Sequence, residues 1–78
     1  MTDKELKDKI GAGVKSAESL LTLRETIVSF ARSGGRAGQA ISVLTDLRLH
    51  TKDAQVDERL LELLDLATGY CVPALKIW

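Results

Sequence analysis

Aromatic residues are nearly absent from this chain: Phe30, Tyr70 and Trp78 are all it has. That leaves little for a base-stacking platform of the kind single-stranded nucleic acids need. Charge of one sign is missing as well. Eleven acidic and eleven basic residues cancel, which removes the sequence-independent attraction behind nucleic-acid and anionic-membrane binding. No apolar run approaches the roughly 20 residues needed to cross a bilayer. Cysteine occurs once, at Cys71, so no disulfide closes within the chain. An unpaired thiol without an apolar secretory segment leads us to expect a reducing, cytoplasmic setting.

The same scarcity argues against chemistry. His50 is the only histidine, so no second His or Cys shares a metal with it. It falls in a polar turn, away from any nucleophile it could serve as base. Cys71 has no basic neighbour to activate it and reads as a small apolar residue. There is no Walker loop and no CxxC pair. We therefore expect no enzyme activity, no catalytic residue, no metal and no cofactor.

What the chain does have is helical periodicity. Its 78 residues suit one domain, residues 1–78, at the small end of what folds alone. Thr2 and Glu5 have the spacing of a capping box, and Leu6 and Ile10 make a narrow stripe behind it. This predicts a short helix over residues 3–10. Gly11 and Gly13 then each cost about 1 kcal/mol relative to alanine inside a helix, so we expect a break there, with Ser16 capping a new helix. Over 16–32 a wide apolar arc (Leu20, Leu21, Leu23, Ile27, Val28, Phe30, Ala31) marks a central helix. Ser33-Gly34-Gly35 ends it, and 36–49 carries the next stripe on Ala37, Ala40, Ile41, Leu44 and Leu47. The short connection predicts that these two helices are antiparallel neighbours. Thr51 or Asp53 can cap a last helix over 54–68 that presents Val56, Leu60, Leu63, Leu64 and Ala67 and ends at Gly69. The expected fold is all-α: a small bundle of three main helices, a short N-terminal helix and an apolar C-terminal tail.

Three features point beyond a bare scaffold. Asp57, Glu58, Glu62 and Asp65 crowd the last helix against Arg59 alone. Like charges at those spacings cost a few tenths of a kcal/mol per pair, and a docking surface for a basic partner would justify them. The glycine turn opens a helix beside Arg32 and Arg36, so the amides of Gly34 and Gly35 with those guanidinium groups are a candidate anion site, for instance for a nucleotide. The tail is apolar where a chain end is ordinarily polar. Tyr70, Val72, Leu75, Ile77 and Trp78 are expected to pair with a second copy as a homodimer.

The run from Thr26 to Ile41, a helix, a glycine turn and a helix, resembles the hairpin of tetratricopeptide and pentatricopeptide repeats, which implies an adaptor that binds peptides or single-stranded RNA. The same stretch with the acidic helix after it is similar in layout to small helical immunity proteins that neutralise bacterial toxins. That second resemblance implies a stoichiometric inhibitor of a larger protein. A non-catalytic protein-binding module is the leading expectation. A binder of an anionic ligand and a repeat-like adaptor follow it.

Overall fold

A computed structural model describes residues 1–69 and 73–78. Four helices make up the body: α1 (Asp3–Lys15), α2 (Leu20–Arg32), α3 (Ala37–Leu49) and α4 (Ala54–Thr68). A single 3₁₀ turn, Pro73–Leu75, follows. No strand occurs among the described residues, and no helix is long and apolar enough to cross a membrane.

The N-terminal helix is not short. Its capping box forms as expected, with the Glu5 amide donating to Thr2 Oγ1 at 3.2 Å and the Thr2 amide donating to Glu5 Oε1 at 3.3 Å. The helix then runs straight through Gly11 and Gly13 to Lys15. Burial decides this. Leu6, Ile10 and Val14 recur four apart and are all buried, and burying one aliphatic side chain yields about 1.5–3 kcal/mol. Together these burials outweigh two glycine penalties of about 1 kcal/mol each. Gly13 is also required sterically, because a Cβ there would lie 2.5 Å from Leu23 Cδ2 of α2. At Gly11 a Cβ would only touch Leu47 at an ordinary 3.6 Å, so packing does not demand that glycine.

Ser16 consequently closes α1 and does not cap α2; Ser19 takes that role, its Oγ accepting from the Thr22 amide at 3.2 Å. Between them Ala17 adopts φ +55°. Farther along, α3 and α4 begin and end close to where their sequence signals lie. Asp53 Oδ1 accepts from the amides of Gln55 (2.9 Å) and Val56 (3.4 Å), and Gly69 stops α4 at φ +88°.

The core draws on every helix: Leu6 and Ile10 of α1, Leu23, Ile27 and Phe30 of α2, Leu44 of α3, and Leu60 and Leu63 of α4 are fully buried. No polar or charged residue lies among the buried ones described. The packed pairs are α3 with α4, α1 with α3, α1 with α2, α2 with α4, and α1 with α4. The expected α2–α3 antiparallel pair is therefore corrected: these helices share a turn but do not pack closely. The extended α1 supplies the reason, since it is long enough to offer both of them an apolar face.

The tail makes contacts within its own chain. Leu75, Ile77 and Trp78 are partly buried against the chain's own core. Arg24 Nε of α2 donates to the Leu75 carbonyl at 2.9 Å, and Trp78 Nε1 donates to the Gly35 carbonyl at 3.3 Å. These contacts set part of the tail against the chain's own core, which gains in a domain this small from any apolar cover within reach. Tyr70 and Val72 lie outside the described residues, as does Cys71.

Candidate functional site

The sequence places interest at the α2–α3 turn, and the structure fills that turn from within. The Gly35 amide donates to the Phe30 carbonyl at 2.9 Å and the Gly34 amide to the Ala31 carbonyl at 3.1 Å, the paired bonds that close a helix C-terminus. Gly34 has φ +96°, and a Cβ on Gly35 would fall 2.3 Å from the Phe30 ring. Both glycines are therefore accounted for by backbone conformation and packing. The Arg36 amide donates to Gln39 Oε1 at 2.8 Å. Trp78 occupies the Gly35 carbonyl, and the Met1 ammonium reaches Ser33 Oγ at 3.2 Å. The anion site expected of Arg32, Gly34, Gly35 and Arg36 is left with the two exposed arginine side chains but without the amides of Gly34, Gly35 and Arg36.

The open site lies elsewhere. A cleft of about 680 Å³ is bounded by the last turn of α1, the α1–α2 turn, the end of α3 and the first half of α4. Its walls carry the aliphatic side chains of Val14, Leu47, Val56 and Leu60. A shallower hollow of about 360 Å³ shares Gly11, Lys15 and Leu47 with it and continues along α1 past Ala12 and Asp8. Gly11 contributes no side chain to either space.

Around the cleft stand four carboxylates, Glu18, Asp53, Glu58 and Glu62, against two permanent cations, Lys15 and Arg59, with His50 beside them. Asp53 is engaged as the α4 cap, and Arg59 donates to Glu62 across one helical turn at 3.2 Å. Glu18 and Glu58 belong to none of the ion pairs found among the described residues. His50 Nδ1 lies 2.8 Å from the Asp46 carbonyl and 3.5 Å from Asp46 Oδ1, so its ring is tied to α3.

The acidic residues expected to act together are thereby divided. Glu58 and Glu62 reach the cleft, whereas Asp65 is exposed farther along α4 and does not line it. Asp57 faces the other way: Arg48 of α3 holds it with two hydrogen bonds, Nε to Oδ1 at 2.8 Å and Nη2 to Oδ2 at 3.3 Å. That hydrogen bonding lowers the Asp57 carboxyl below the ordinary carboxylate range and raises Arg48. Asp46 is likewise lowered, chiefly by its hydrogen bond from Lys7. Asp57 and Asp46 fasten α3 to its neighbours, and Asp57 thereby stands apart from Glu58 and Glu62.

Sequence reading missed Lys15, Glu18, Leu47 and His50 as members of one site. They come from separate segments, and only the position of Glu58 and Glu62 four apart, flanking Arg59 and Leu60, hints at a lined surface on α4. No protein-family model, no curated protein and no solved structure matches this chain.

Proposed function

We propose that this chain is a non-catalytic helical module that binds another protein through the cleft beside Glu58 and Glu62, blocking that partner stoichiometrically. The observation that carries the reading is the cleft itself: aliphatic walls under an acidic margin, on a body whose α2–α3 reversal is closed by its own ends. A concave apolar surface with a few charged groups at its edge suits recognition, and complementary charge speeds encounter with a basic partner. Neither Glu58 nor Glu62 helps to build the core; both are exposed.

Affinity capture with the tagged full-length chain tests it. Glu58→Lys with Glu62→Lys should abolish capture while leaving far-UV circular dichroism unchanged, whereas Asp65→Lys, one turn beyond the cleft, should have little effect. Equal capture by all three proteins at low salt would sink the reading.

A further inference from the structure

The strongest clue to what the cleft accepts is a residue that packing does not explain. Gly11 lies inside α1, faces both the cleft and the hollow that continues from it, and meets only an ordinary van der Waals contact if given a Cβ. Alanine is the better helix former at such a position, so the fold alone would favour a side chain here. What the missing side chain does provide is open space on α1 where the cleft and the hollow meet, beside the half-buried Leu47 and Val56 and the edge of Val14.

We propose that this space receives the apolar face of an amphipathic helix from the partner protein, with Lys or Arg residues of that helix set against Glu18 and Glu58. This rests on the protein-binding reading above and specifies its partner's chemistry. Several features select a helix over the other occupants. Apolar side chains Leu47 and Val56, with two adjoining spaces set along α1, suit partner side chains recurring every three to four residues, as when an amphipathic helix lies in a groove. Among the described residues there is no strand, and hence no sheet edge to which an extended peptide could add. The adjoining spaces of about 680 and 360 Å³, which share Gly11, Lys15 and Leu47, exceed what one inserted side chain fills. The margin supplies the sign of charge: Glu18, Glu58 and the cap residue Asp53 stand outside the ion pairs found among the described residues against one such lysine, Lys15, whereas Arg59 is already matched by Glu62. A basic helix gains two ion pairs there, and an acidic one meets repulsion.

Three synthetic peptides of about four helical turns test this by fluorescence anisotropy on the intact chain. One carries Leu at helical spacing with Lys elsewhere, one has the same composition in scrambled order, and one replaces Lys by Glu. The patterned Leu/Lys peptide should bind at least about tenfold more tightly than either control. Gly11→Leu fills the groove with a better helix former, so it should weaken that peptide by at least about tenfold at an unchanged or higher melting temperature. Gly11→Ala, which adds one methyl, serves as the milder variant if leucine disturbs the fold. Equal binding of patterned and scrambled peptides would reduce the groove to plain charge attraction and overturn the inference. So would displacement of the peptide by spermidine beyond the effect of matched salt, because the site would then be one for small polyamines. Capture of the native partner separates the two levels. If Gly11→Leu captures it as wild type does, the helix-in-groove inference falls while the acidic docking surface stands. If capture ignores Glu58→Lys and Glu62→Lys, the docking surface itself falls.

Discussion

The α1–α2 and α2–α3 reversals use the same hydrogen bonds and end in opposite states. At the first, the Glu18 amide donates to the Gly13 carbonyl at 3.0 Å and the Ala17 amide to the Val14 carbonyl at 3.3 Å. At the second, Gly35 and Gly34 donate to Phe30 and Ala31 in the same two-bond pattern. Yet the glycine-rich reversal is covered by Phe30, Trp78 and Met1, and the one without glycine borders the open cleft. Helix α2, thirteen residues long and so about 20 Å, separates them. Gly35 marks where the α2–α3 turn packs tightly on Phe30, whereas the turn that borders the cleft is made by Ser16, Ala17, Glu18 and Ser19, without glycine.

The largest effects are expected at the closed reversal. Phe30→Ala empties the space under Gly35 and should cost about 3–5 kcal/mol, a large share of what a domain this small possesses. Gly35→Ala forces a methyl into the Phe30 ring and should cost about 1–3 kcal/mol. Urea denaturation gives both values. A loss below about 0.5 kcal/mol for Gly35→Ala, within the range of ordinary surface changes, would show that the ring moves aside freely and that the turn is not closed.

Next comes the tail that covers this reversal. Trp78→Ala removes a partly buried indole and its hydrogen bond to Gly35, and should cost about 1–2 kcal/mol. With Leu75, Ile77 and Trp78 on their own core, light scattering is expected to report a monomer at high concentration. A dimer that Trp78→Ala dissociates would restore the intermolecular placement read from the sequence.

Much of the frame was legible before the fold was known, because capping signals are local. Thr2 with Glu5 and Asp53 with the two amides after it fix helix starts that no tertiary contact needs to settle. The bounds of α4 follow the same logic through Gly69. What was not legible depended on neighbours. The penalty at Gly11 and Gly13 is visible in the sequence, but the burial of Val14 and the approach of Leu23 that outweigh it are tertiary. For the same reason four helices of similar length replace three main ones. The candidate site was half visible. Glu58 and Glu62 stood out by spacing on one helix, while Asp57, next to Glu58 in sequence, turns to Arg48 in space. Glu18 and Leu47 carry no local sign that they share a groove.

A pair of substitutions of opposite sign sharpens the comparison between the reversals. Ala17 at φ +55° holds a left-handed conformation that costs a non-glycine residue about 1–2 kcal/mol. Ala17→Gly relieves that strain, offset by roughly 0.4–1 kcal/mol of added unfolded-state entropy, and should stabilise the protein by up to about 1.5 kcal/mol. Gly34→Ala creates the same strain at φ +96° and should destabilise it by about 1 kcal/mol. Thermal melts of the two single variants and the double variant decide this. The turns are far enough apart for the effects to add. If both substitutions lower the melting temperature, Ala17 is not strained and the likeness of the two turns is only in their hydrogen bonds.

The smallest effect concerns pH and the ion pairs that hold α3 beside the cleft. Asp57 and Asp46 are both lowered, by hydrogen bonds from Arg48 and Lys7 respectively. A carboxylate whose folded value lies below its unfolded value of about 3.9 contributes stability that is fully present above that pH. The contribution is lost as pH falls through the lowered folded value, because the unfolded chain takes up the proton first. Stability should therefore be flat in these groups near neutrality and decline below about pH 4. Both pairs are partly solvated, so the decline should be shallow and should shrink further in high salt. Asp57→Asn removes the bidentate partner of Arg48 and should flatten part of the slope between about pH 4 and pH 2, with Asp46→Asn flattening another part. Urea midpoints measured across that range check the sign. If Asp57→Asn leaves the acid slope unchanged, the Arg48 contact does not persist in solution. The end of α3 that carries His50 and Leu47 to the cleft is then positioned by apolar packing and the Lys7–Asp46 pair.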